Sequence, residues 1–157
     1  MSIAPDDVQG EIALELDVSK LSGEDFLRAS KAFLGLVGEV SKVVNKSGPA
    51  TSWDVAVSAG SQVINVFPSG EANHSYSASA VVDRVLSGIA HLAEVAENPF
   101  EENERAIKHL RVLGRIASRG KSPVPVRVLT KSTAREISVH VFNHASEILS
   151  WEYEDSG

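Results

Sequence analysis

Residues 11–18 alternate strictly. Ile12, Leu14, Leu16 and Val18 are separated by Glu11, Ala13, Glu15 and Asp17. A period of two marks a half-buried β-strand. From Ser22 the period changes: Phe26, Ala29, Phe33, Val37, Val40 and Val44 recur every three or four residues, which lines one side of an α-helix. A chain that changes period this abruptly must set a sheet against helices.

The signals at the ends of this helix agree with the stripe. Ser22 is a capping residue with Asp25 three positions later, and Glu24 suits the positive end of the helix dipole. Ser47-Gly48-Pro49 ends the element. Gly35 and Gly38 interrupt it at about 1 kcal/mol each relative to alanine. They are read as sites of close packing on a sheet or as a short break.

The switch then recurs. Trp53, Val55 and Val57 form one face of a second strand, Ala59-Gly60-Ser61 a turn, and Gln62 to Phe67 a third strand, closed by Pro68, Ser69 and Gly70. Residues 71–77 read as a polar loop. A second helix follows, with Val81, Val82, Val85, Leu86, Ile89, Leu92 and Ala93 buried. Asn98-Pro99-Phe100-Glu101 reads as the start of a third helix, with Asn98 capping and Pro99 in the first position. That helix runs to about Ser118 and stops at Gly120. Val124 to Thr130 is a fourth strand, placed at a sheet edge because Pro123 and Pro125 flank its start. Lys131 to Arg135 is its turn. Ile137, Val139 and Val141 mark a fifth strand, and Ala145 to Leu149 a short helical turn.

The order β-α-β-β-α-α-β-β predicts an α+β fold, a mostly antiparallel sheet with helices packed on one face. Residues 1–10 are expected to be a flexible lead-in, 11–150 a single domain and 151–157 an acidic tail. At 157 residues such a domain holds a sufficient core without a metal or cross-link. The absence of cysteine excludes disulfides and thiol nucleophiles and fits a reducing compartment. The acidic first 17 residues lack the basic start and apolar run of a secretory signal. No stretch approaches 18 apolar residues. The expected location is the cytoplasm, with no membrane partner.

Charge is sharply divided. Arg105, Lys108, Arg111, Arg115, Arg119, Lys121, Arg127, Lys131 and Arg135 fall in a segment with no Asp or Glu, whereas the rest of the chain holds all 21 acids. Helical spacing puts Arg105, Lys108, Arg111, Arg115 and Arg119 on a broad solvent side of the third helix. Lys131 and Arg135 lie at the following turn. Such a surface binds an acidic protein partner or nucleic acid, although dipole complementation and neutralisation by the chain's own acids produce the same pattern. The segment contains no Phe, Tyr or Trp, so it lacks a platform for stacking bases. Trp151 and Tyr153, set among Glu152, Glu154 and Asp155, are candidates for docking on a basic surface, within the chain or across two copies.

Catalytic patterns are weak. On a strand, His140 and His144 would stand about 13 Å apart, too far to share one metal. His91, Glu94 and Glu97 have helical spacing but need ligands from facing helices. Ser61 lacks the elbow motif of a serine nucleophile, and alternation alone explains Asp54. Phosphate-binding glycine loops are absent. No catalytic, cofactor or metal residue is assigned. The expectation is a small non-enzymatic domain working through protein–protein contacts, self-association included. Nucleic-acid binding through residues 105–135 is the alternative, and an enzyme with an unrecognised site the third.

Overall fold

The structure is a computed structural model that describes residues 4–8, 10–16, 21–45, 52–57, 63–69, 75–118 and 125–156. Among the described residues five strands, β1 (Ile12–Leu16), β2 (Ser52–Val57), β3 (Val63–Ser69), β4 (Val126–Leu129) and β5 (Ala134–Glu136), form one antiparallel sheet in the order β2-β3-β1-β4-β5. Four α-helices of the described residues accompany it: α1 (Gly23–Val44), α2 (Ser75–Glu94), α3 (Glu104–Ser118) and α4 (Val139–Ser156). The chain is α+β, as the alternating periods require. Among the described residues no helix is long and apolar enough to cross a membrane.

The sheet register explains which side the helices take. Ile12, Leu14 and Leu16 of β1 align with Val66 and Ile64 of β3 and with Val128 and Val126 of β4. All seven are buried in one core with residues of all four helices. On the opposite face Ala13, Val63 and Leu129 are covered by Val8, which follows the 3₁₀ turn Pro5–Asp7 and is 2% exposed. Gly10 and Glu11 continue this contact: Gly10 N donates to Asn65 Oδ1 at 3.2 Å and Glu11 N to Val66 O at 3.0 Å. The described part of the expected lead-in is thus packed on the sheet.

The helices form a closed circuit, with α1 against α2 and α3, and α4 against both of these. At Gly114 a Cβ would lie 2.8 Å from Phe142 Cβ and 3.0 Å from its Cα, so the missing side chain sets the approach of α3 to α4. At Gly35 it would meet the ring of His109. This glycine serves helix–helix packing and not packing on the sheet. Nothing lies within 4 Å of a Cβ at Gly38, and the helix continues unbroken through both. The Ser22 cap is as expected, with Asp25 N donating to Ser22 Oγ at 3.1 Å. The helix ends at Val44; residues 46–50, with the expected stop signal, lie outside the described residues.

Several boundaries differ from expectation. Helix α2 already includes residues 75–77, read as loop. Helix α3 begins at Glu104, where Asn103 Oδ1 accepts from Ala106 N at 3.0 Å; Asn98 instead accepts from Phe100 N at 2.9 Å in a turn. Strand β3 extends through Pro68, which pairs with Trp53. Strand β4 is not at the edge but lies between β1 and β5. Its Pro125 precedes the first paired residue, so the missing N–H falls outside the ladder.

The C-terminal reading changes most. The turn is confined to residues 131–133, and β5 occupies Ala134–Glu136. The expected fifth strand at Val139 and Val141, the short helical turn and the expected tail are all one helix, α4, through Ser156. Val141, Ala145 and Ile148, spaced four and three apart, are its buried stripe.

Candidate functional site

The basic segment does not fold into one surface. Arg127 points to the face of the sheet away from the helices and bonds Glu15, with Nε 2.7 Å from Oε1. Arg111 turns toward α4, where its Nε donates to Ser146 Oγ at 3.0 Å. Lys131 stands in the β4–β5 turn, at the end of the sheet where β1 begins, since Leu129 pairs with Ala13. Arg135 is exposed on the edge strand β5. Arg119 and Lys121 lie outside the described residues, as do the side chains of Trp151 and Tyr153.

Arg105, Lys108 and Arg115 remain together on the outer side of α3, all exposed. They span about 15 Å at 1.5 Å per residue. This side is opposite the stripe Ile107, Leu110, Leu113 and Ile116, which is buried.

Helix α1 extends this surface. Ser41 Oγ accepts from Trp53 Nε1 at 2.9 Å, which fixes the C-terminal part of α1 where β2 starts. Strand β2 runs parallel to β1 across β3, so the first turns of α1 lie at the end of the sheet where β1 finishes. The last turn of α3 lies there too: Ala117 and Ser118 share a cavity wall with Pro125 and Ile137, and Val126 pairs with Leu16. Helices α1 and α3 are therefore antiparallel neighbours, and Arg28 and Lys31 of α1 belong to the same end as Arg115. Arg28 is paired with Asp25 at 3.3 Å, Lys42 with Glu39 at 3.0 Å and Lys108 with Glu104 at 3.7 Å. Lys31, Arg105 and Arg115 form no ion pair with any described residue. The α1 cations were missed in the sequence because about 80 residues separate them from α3 and only tertiary packing joins them.

Between the two helices His109 lies over Gly35, half-buried. Burial holds its imidazole below the usual histidine pKa, partly opposed by the carboxylate of Glu39. Well above pH 6.5 the ring is uncharged in both folded and unfolded chains. Below about pH 6.5 the unfolded chain takes up a proton that the folded chain resists. Stability is therefore expected to fall as pH drops from 7 toward 5, and His109→Gln should flatten that part of the profile. Urea midpoints across this range test it; equal slopes for both proteins refute it.

The other candidates separate. His140 and His144 are four residues apart on α4, not on a strand, which puts them on one side of a helix. His144 Nδ1 is engaged, donating to Leu92 O at 2.6 Å, and His91 faces Glu97 at 3.5 Å. Among the described residues no group of three His, Asp or Glu side chains could hold a metal. Asp54 is exposed, and Ser61 lies outside the described residues. A cavity of about 660 Å³ lies between the end of α1 and α2, lined by Val43, Val44, Asp83, Arg84 and Glu101 among others. Another, of about 470 Å³, lies at the start of α4. His109 lines neither.

No protein-family model, no curated protein and no solved structure matches the chain.

Proposed function

We propose that this domain acts without catalysis, as an interaction module that receives an acidic protein partner on the outer sides of α1 and α3. One observation carries the reading. Lys31, Arg105 and Arg115 stand exposed on two adjacent helices without a described carboxylate to neutralise them. Fixed cations of this kind attract and orient an oppositely charged partner.

Two competing occupants fit less well. A two-fold dimer through this surface would set cation against cation. Nucleic acid requires phosphate contacts from many cations, but folding disperses the segment: Arg127 is committed to Glu15, Arg111 to Ser146, and Lys131 lies at the other end of the sheet.

The test is a titration at low salt with a fluorescent decaglutamate peptide and with DNA and RNA oligonucleotides of equal charge. The peptide should bind, and Lys31→Glu/Arg105→Glu/Arg115→Glu should weaken it by about tenfold or more, as the loss of several exposed charge contacts implies. Tighter binding of oligonucleotides would transfer the surface to the nucleic-acid reading. An unchanged peptide affinity in the triple variant would remove the surface altogether.

A further inference from the structure

Helix α4 opens onto the cavity of about 470 Å³, whose lining includes Pro125, Ile137, Ser138, Val139 and His140. Ser138 stands just before Val139, the first helical residue. From that position a serine side chain ordinarily accepts a hydrogen bond from an amide of the first turn. In α4 this bond is missing. The Ser138 hydroxyl oxygen is completely buried and has no hydrogen-bond partner among the described residues. The main-chain N–H groups of Val139 and His140 likewise meet no acceptor among the described residues. The first bond of the helix, from Phe142 N to Ser138 O, is long at 3.4 Å. Two amides and a hydroxyl therefore stand in one wall of the cavity with their donors unused.

We propose that this cavity binds a small organic carboxylate, held by the Val139 and His140 amides and the Ser138 hydroxyl, with its apolar body against Pro125, Ile137 and Val139. The site is separate from the cation surface of α1 and α3 and stands independently of it. A buried hydroxyl without a partner is uncommon in a folded chain, because the unmet bond costs stability, and it marks a group whose partner comes from outside the chain. The positive end of an 18-residue helix makes that partner an anion. No lysine or arginine belongs to the described lining, and His140 supplies at most one positive charge. A singly charged carboxylate is matched by such a site, whereas a doubly charged phosphate is not. The apolar wall selects an organic ligand: Ile137 is buried at its base, and Val139, 49% exposed, stands at its rim. A hydrocarbon laid there leaves water, while an inorganic ion gains nothing from the contact. Glu136 also borders the cavity, but its carboxylate belongs to the Arg127 row on the other face of the sheet. The volume lies within the roughly 300–1,000 Å³ of small-molecule sites.

Titration of the isotope-labelled chain with benzoate, followed by two-dimensional amide NMR, reads the site directly. The Val139 and His140 amide resonances should move together and saturate. Benzamide, uncharged and of the same shape, and inorganic phosphate, charged but without an apolar body, should each bind about tenfold more weakly or worse, the order expected for losing a charge-assisted hydrogen bond or one apolar contact. Ser138→Ala should weaken benzoate by a similar factor, and Ser138→Thr, which keeps the hydroxyl, should retain it. Val139→Pro removes one of the two amides at the helical position that proline suits, so this variant should fold and should also bind benzoate about tenfold less tightly. Benzamide binding as tightly as benzoate overturns the anion site, and phosphate binding as tightly overturns the organic ligand. If Ser138→Ala lowers the melting temperature but leaves benzoate affinity unchanged, the hydroxyl is a helix cap and its assigned role is overturned. Amide resonances of Val139 and His140 that do not respond to benzoate in the wild-type chain overturn the proposal as a whole.

Discussion

Phe100→Ala is expected to destabilise the domain by about 3–5 kcal/mol, the range for deleting a buried aromatic ring. Phe100 sits in the connection between α2 and α3 and is fully buried in the main core. Its ring occupies the place that a Cβ at Gly88 would take. The connection itself is costly. Glu101 and Glu102 are held at φ 51° and 64°, the left-handed region that non-glycine residues enter at about 1–2 kcal/mol each. Three hydrogen bonds fix the path on either side: Asn98 Oδ1 accepts from Phe100 N at 2.9 Å, Asn98 Nδ2 donates to Asn103 O at 3.2 Å, and Arg84 Nε donates to Pro99 O at 3.1 Å. Without the ring this path loses its apolar anchor, and the two left-handed residues can relax. Denaturant unfolding should show a large fall in midpoint, with Phe100→Leu intermediate. A loss below about 1 kcal/mol would mean that the ring fills no necessary space.

Glu15→Ala is expected to cost about 3 kcal/mol, at the lower end for breaking a buried ion pair by removing one member. Glu15 lies on the central strand, its side chain 8% exposed, and meets Arg127 at 2.7 Å from the directly opposite position of β4. The arginine is 23% exposed, so water can partly replace the missing carboxylate. Glu136, opposite Arg127 on β5, is exposed and shares that row. The decisive comparison is Glu15→Leu/Arg127→Leu. With both charges gone neither member of the pair is left buried without the other, and much of the stability should return. If the double variant is as unstable as Glu15→Ala, the pair is not the source of the loss.

Sequence periodicity revealed most of the fold because it reports burial directly. The stripe from Phe26 to Val40, the alternation through Ile12, Leu14 and Leu16, and the Ser22 cap all depend on neighbours a few residues away. The failures share a physical cause. Ile137, Val139 and Val141 satisfy a period of two over too short a span to exclude a helix, and only packing of Val141, Ala145 and Ile148 in the core decides the matter. Asn98 and Asn103 are both competent caps; the buried position of Phe100 selects the second.

The surface was legible only in part. The stripe Arg105, Lys108 and Arg115 follows from helical spacing. Its continuation through Lys31 and Arg28, and the removal of Arg111, Arg127 and Lys131 from it, depend on which elements become neighbours. Charge along a chain is a one-dimensional quantity, and a sheet whose middle strand comes first distributes it over several sides.

That strand order also bears on synthesis. Strand β1 leaves the ribosome before the strands it pairs with, β3, about 50 residues later, and β4, about 110 residues later. An early apolar strand must therefore wait, with one ladder unformed, until β4 has been made. During that interval Ile12, Leu14 and Leu16 form an unfinished edge. Glu15, which ends in a buried ion pair, keeps a charge within that edge until Arg127 arrives.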